Sequence, residues 1–230
     1  MANPIPEKLT ALVTAALAEM QADPSHRLPY QRRREIYDAF GNDQIGRDAL
    51  GWLAIITARR VLPIFQEAFP EDTLPQELLG TAVGVLQGQV DEETVEEMQE
   101  LGYNAAGNVW GYDEDEMPWN ADMAGGAAYH ALKEARGQKP LQHLDKVFSL
   151  GVVDLASGEM VTEHPQPMSG DQFADEELSQ IDSSDTAAKA AVAFACGAEG
   201  PHCGPEKLCV FWTWWLQEAI PEAWEAAHKD

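Results

Sequence analysis

The stretch from Asp182 to Trp224 constrains this chain more than any other. Its first part carries Ala187, Ala188, Ala190, Ala191, Ala193 and Ala195, strong helix formers with almost no side chain. A neighbour can approach such a helix closely. Ser183 and Ser184 are cap candidates, and Asp185 falls in the first turn, where a negative charge meets the positive end of the helix dipole. Gly197 marks its end. A Gly/Pro/His/Cys loop follows, and Pro205 opens a second helix. There Leu208, Phe211, Trp212, Trp215, Leu216, Ala219 and Ile220 recur at helical spacing as one apolar stripe. Pro221 kinks or restarts that helix, with Trp224 just beyond. The pattern predicts that the bulky stripe packs on the small-residue helix and closes the core, with Phe211, Trp212 and Trp215 buried.

Upstream, the same periodicity predicts helices over 6–21, 29–40 and 44–68, the last capped by Asn42 or Asp43 and kinked at Pro63. Arg32, Arg33 and Arg34 fan over most of the second helix, so at least one lies near the core and needs an acid partner. Asp38 and Asp48 are the nearby choices, and Arg59-Arg60 either form structural ion pairs with acids, the favoured reading, or contact a ligand. A fourth helix starts at Thr73 with Pro75 and ends by Gly88. A fifth starts at Asp91, with Val95, Met98, Leu101, Ala105 and Val109 as its stripe. A sixth runs from Pro118 to Arg136, where adjacent Gly125 and Gly126 suggest close contact with another helix. Residues 137–172 are the least helical, with either a hairpin over Val152–Thr162 or an ordered loop, and Phe173–Ile181 is a further short helix. The fold class is therefore all-α: one domain over 1–230, a bundle of about eight antiparallel helices that can also stack like a short solenoid, with one irregular or hairpin insertion near 145–170.

The net charge is −24. Residues 1–70 hold eight acids and eight Lys/Arg, so the excess lies wholly in residues 71–230, with thirty-one acids against seven Lys/Arg. Such a charge disfavours nucleic acid and anionic membrane as partners and favours a basic protein. A salt-adapted proteome is the bland alternative. No apolar run is long enough to span a membrane, and the first residues lack the pattern of a signal peptide. The three cysteines are an odd number, so the expected compartment is the cytoplasm, with reduced thiols.

No phosphate-binding glycine loop, Cys-x-x-Cys or His-Glu-x-x-His is present. Cys196, His202, Cys203 and Cys209 are the best metal candidates, but their spacing matches no common zinc pattern, so no metal or cofactor is expected. None of the six histidines has a diagnostic partner. The loop Trp110-Gly-Tyr-Asp-Glu-Asp-Glu-Met-Pro-Trp119 sets four consecutive acids between aromatics. It lacks the alternation of an EF-hand, and the plain alternative is a solvated loop. As a docking surface, Asp113, Glu114, Asp115 and Glu116 would steer a basic partner, with Trp110, Tyr112 and Trp119 as anchors.

Asp-Ser-Ser-Asp-Thr-Ala-Ala-Lys-Ala-Ala-Val-Ala-Phe-Ala-Cys-Gly-Ala at 182–198 and Phe-Trp-Thr-Trp-Trp-Leu-Gln-Glu-Ala-Ile-Pro-Glu-Ala-Trp at 211–224 resemble the C-terminal signature of an all-α family of immunity proteins, the family named immunity protein five. Its members accompany toxins in bacterial polymorphic toxin systems. The likeness reaches Arg-Arg-Arg-Glu-Ile-Tyr-Asp-Ala-Phe-Gly at 32–41 and Leu-Ala-Ile-Ile-Thr-Ala-Arg-Arg-Val-Leu-Pro-Ile at 53–64. The resemblance implies a non-enzymatic cytoplasmic inhibitor that occludes a cognate toxin. Many such toxins are basic nucleases, which suits an acidic inhibitor. The alternatives are an all-α enzyme with a pocket near the Cys/His loop or near Tyr103–Trp119, and a helical scaffold for another protein.

Overall fold

The computed structural model describes residues 4–107, 109–112, 117–140, 185–198 and 200–229. The chain is all-α. Helices α1 (Glu7–Ala22), α2 (Tyr30–Ala39), α3 (Gln44–Ala68), α4 (Leu74–Leu86), α5 (Glu92–Gly107) and α6 (Trp119–Ala135) follow one another, with a short 3₁₀ turn at Val109–Gly111. After them come α7 (Thr186–Ala195), a two-stranded ladder of β1 (Cys196–Gly197) and β2 (Gly200–Cys203), and α8 (Pro205–Trp214). A π-helical turn at Trp215–Ala219 joins α8 to α9 (Ile220–Ala226). Among the described residues, no helix is long and apolar enough to cross a membrane.

Local chemistry sets several boundaries. The Asp43 carboxylate accepts from the Gly46 N–H at 2.8 Å and caps α3; Asp91 does the same for Thr94 at 2.8 Å ahead of α5. Gly41, at φ 92°, lets the chain leave α2 in the left-handed region. Pro63 lies inside α3, which continues through it. Pro221 cannot donate to the preceding turn and its ring crowds that turn's carbonyl. The helix answers by widening to the π turn just before it. Asp185 is itself the N-cap of α7, accepting from Ala188 N–H at 2.6 Å, one position short of the first turn in which the sequence set it.

α3 and α6 pack on each other at the centre, with α4 against α6 and α7 against both. α9 returns to α3, α8 lies on α7, and α1 joins α2 to α8. These long-range contacts gather the helices round one continuous cluster from Leu9 to Trp224. Phe211, Trp212 and Trp215 are buried as expected. α8 packs on α7 as expected, and Phe211 reaches Phe194 at 5.8 Å. Trp215, in the π turn, has other partners: it meets Tyr37 of α2 edge-on at 6.0 Å and donates its indole N–H to Thr57 Oγ1 of α3 at 3.1 Å. α7 also lies against the equally lean α6, where Ala124, Ala127, Ala128 and Ala131 are buried. Two faces without bulk let their backbones close together, while indoles need deeper grooves.

Other expectations change too. Cys196 and Cys203 face each other across the ladder and form a disulfide, where the odd number of cysteines predicts reduced thiols; Cys209 is free and half-buried. Their opposition follows from the strand register. Arg60 lies over the Trp214 ring at 5.0 Å and the Phe194 ring at 5.8 Å, so among the described residues its partners are aromatic faces and not an acid. Leu101, placed by periodicity in the α5 stripe, is 52% exposed, because α5 sits at the margin of the bundle. The hairpin or loop near 145–170, the helix over Phe173–Ile181 and the cap candidates Ser183 and Ser184 lie outside the described residues.

Candidate functional site

Among the described residues two polar centres stand out, one sealed and one open. The sealed one answers the arginine question. Arg33 is the buried member of the triplet, and its Nε donates to Asp185 Oδ2 at 3.0 Å, across 152 residues of sequence. Its Nη1 donates to the Leu28 carbonyl at 2.7 Å, and its guanidinium stands over Trp212 at 5.8 Å. Neither expected acid serves it: Arg34 pairs with Asp38 at the surface and Asp48 accepts from Gln44. Tyr37 also hydrogen-bonds Asp185, and burial, with Asp185 and Glu134 nearby, pushes its hydroxyl well above its ordinary pKa. Glu134 accepts from Thr186 Oγ1 at 2.9 Å and Thr186 N–H at 3.1 Å. Burial first, then the Asp185 charge, raise its carboxyl to about 8. Every one of these side chains is enclosed. The group works as a lock that ties α2 and α6 to the start of α7.

The open centre runs along α5, the turn after it and the cleft between α5, α6 and α7. Glu93, Glu96, Glu97 and Glu100 are exposed on α5, with Leu101 and Tyr103 beside them; Tyr103 is 67% exposed. Arg136 pairs with Glu92 and Glu96, which leaves Glu93, Glu97 and Glu100 without an ion pair among the described residues. The chain then turns at Trp110, whose φ of 59° is left-handed. Trp110 is only 6% exposed; its indole N–H donates to Asp122 Oδ1 at 3.0 Å, and its ring meets Phe65 at 5.4 Å. Gly125 makes that seat, since a Cβ there would come within 2.6 Å of the indole. Tyr112 is half-buried and stacks on Phe69 at 3.8 Å. Burial, then Asp72, raises its hydroxyl pKa. Trp119 is half-buried at the start of α6, and its backbone N–H donates to the Ala198 carbonyl at 2.9 Å.

The three aromatics therefore hold the two ends of the acidic loop to the core. Trp110 is spent on anchoring the loop, and Tyr112 and Trp119 are partly accessible. Asp113, Glu114, Asp115 and Glu116 lie outside the described residues. Sequence reasoning did not single out the residue that heads the cleft, Lys189. The cleft has a volume of about 440 Å³ and is lined by Tyr103, Asn104, Tyr129, His130, Gly126 and Lys189. The Lys189 stem crosses Gly126, where a Cβ would come within 3.0 Å of it. One signal was available: Lys189 is the only charge in a helix of alanines.

Burial lowers the Lys189 pKa, opposed by attraction to Asp122. Burial raises Asp122, opposed by Lys189 and by the Trp110 bond. The cleft thus offers a desolvated cation between aromatic walls, an arrangement suited to an anionic group. Among the described residues, no group of three or more His, Cys, Asp or Glu side chains is placed to hold a metal ion.

A protein-family model described as immunity protein Imm5 matches residues 13–222. No curated protein matches the chain.

Proposed function

Because the chain belongs to the Imm5 family of immunity proteins, we propose that it binds a cognate toxin protein and neutralises it by occlusion, without catalysis of its own. The family match over residues 13–222 carries this reading. The surface proposed for the contact is the acidic margin: Glu93, Glu97 and Glu100 of α5, Tyr103, and the loop from Tyr112 through Asp113, Glu114, Asp115 and Glu116 to Trp119. Trp110 belongs to it as the anchor that presents the loop. The net charge of −24, all of it arising after residue 70, favours a basic toxin and rapid encounter. Nucleic acid and anionic membrane fit that charge poorly. The cytoplasm, where a toxin would act on its producer, is the proposed compartment.

The test is association kinetics with the toxin domain encoded beside this protein, captured first by pull-down. The association rate should fall with added salt, since screening confines the field to about 8 Å at physiological ionic strength. Reversing Asp113–Glu116 to lysine should lower the association rate more than it raises dissociation. A salt-independent rate, unmoved by the reversals, would remove the acidic margin from the contact. Failure of any neighbouring toxin to bind, or of the protein to protect cells from it, would remove the immunity reading.

A further inference from the structure

We propose that the cleft between α5, α6 and α7 receives a single acidic side chain of the partner protein, with the Lys189 ammonium as the receptor for its carboxylate. This rests on the reading that the partner is a protein held along the acidic margin.

Lys189 is placed at a cost. α7 otherwise consists of Thr186, alanines, Val192 and the half-buried Phe194, and a charge brought into such surroundings needs a counter-charge. Among the described residues, it has no ion pair. Asp122, the acid that attracts it most, is held by the Trp110 indole N–H. The stem lies across Gly126, so the helix surface gives way where the ammonium enters the cleft. Around it stand groups that suit a carboxylate and its carbon chain. Tyr103 and Tyr129 supply aromatic walls and hydroxyl donors, and Asn104 supplies an amide on the exposed side. Tyr129 is itself wedged against Gly102, where a Cβ would come within 2.7 Å of the ring. That wall is therefore preset, and little order must be gained on binding.

The surrounding charge selects the form in which the carboxylate arrives. Glu93, Glu97 and Glu100 lie along the neighbouring helix, and the molecule as a whole repels anions. A small free anion meets that repulsion without compensation. A carboxylate carried on a basic protein brings its own cations, which meet the acidic margin as the acid enters the cleft. The margin then sets how fast partners meet, and the cleft sets which basic partner stays and in what register.

The probes are two blocked peptides, Lys-Lys-Glu-Lys-Lys and Lys-Lys-Gln-Lys-Lys, with sodium acetate and inorganic phosphate as free anions. Each is titrated at constant ionic strength while the lysine side-chain and tyrosine ring NMR signals of the full chain are followed. The Glu peptide should bind about tenfold tighter than the Gln peptide, with saturable shifts at Lys189, Tyr103 and Tyr129, as expected for one charge-assisted hydrogen bond. Lys189→Met, which keeps the stem, should erase the preference without lowering the urea midpoint; Lys189→Arg should retain it. Equal binding of the two peptides by the native chain overturns the proposal. So does saturation by acetate or phosphate with no preference for the Glu peptide, which would make this a small-anion site. With the toxin domain, Lys189→Met should speed dissociation about tenfold and leave the salt dependence of association intact. If no toxin binds but the peptides are discriminated, the immunity reading fails and the cleft stands. If toxin binds and neither peptide preference nor dissociation responds to Lys189, the cleft alone fails.

Discussion

Arg33 and Glu134 show how the same enclosure treats two ionisable groups in opposite ways. The Arg33 guanidinium is charged wherever it lies, and Asp185 meets that charge in the core at 3.0 Å. Arg33→Met should cost about 3–5 kcal/mol in urea unfolding, since it strands the Asp185 carboxylate in the core. A loss below about 1 kcal/mol would mean that the centre is far wetter than its burial indicates. Glu134 has no cation of its own in the cluster and gives up its charge, rising from 4.5 to about 8. The folded state therefore holds a proton between those values that the unfolded chain has released. Stability should fall as pH rises through that window and level off above about 8. Glu134→Gln cannot titrate, so the difference between variant and native stability should grow in the variant's favour over the same interval. Urea midpoints at several pH values provide the measurement, and a constant difference would show that Glu134 is ionised throughout.

α8, the π turn and α9 act as one closing element. Their apolar residues sit in a groove formed with α1, α2, α3 and α7. Trp215 is the deepest of them, with no exposed surface. Trp215→Ala should cost about 3–5 kcal/mol, the range for emptying a buried aromatic site, and should also leave Thr57 without its indole donor. The value to compare is Trp214→Ala, because Trp214 is partly exposed and rests under Arg60. If both changes cost the same, the closing element is not seated as described. α5 is the counterpart at the other margin. Among the described residues, its contacts are with α4, α6 and the turn after it, and its outer face carries acids, Leu101 and Tyr103.

The parts are joined through contacts distant in sequence, such as Arg33 with Asp185 and Trp215 with Thr57. Unfolding any one helix therefore exposes surface on several others. We expect far-UV circular dichroism and tryptophan fluorescence to report coincident urea transitions, as one cooperative unit over 1–230 requires. Separate transitions would divide the chain into independently stable parts. The same connectivity fixes Trp110 and Trp119: Trp110 is pinned to Asp122 and Phe65, and Trp119 is tied to Ala198.

Helix positions, caps and the buried aromatic stripe were legible in the chain because they depend on neighbours within a few residues. Asp43, Gly41 and Pro205 do their work through backbone groups one turn away. The need for an acid beside one of three arginines was equally legible, since desolvation of a guanidinium is costly wherever it occurs. Which acid was not. Asp38 was the local choice, and Asp185 won because the fold brings the capped end of α7 against α2, where one carboxylate can serve a guanidinium, a hydroxyl and a helix end together. The disulfide partner of Cys196, the ring faces under Arg60 and the partners of Trp215 were decided in the same way. At the candidate site the acids and aromatics could be read directly as residue types. The burial of Trp110 and the cleft beneath Lys189 could not, because both depend on glycines of α6 meeting side chains from other elements, and a glycine in the sequence does not say what will fill the space it leaves.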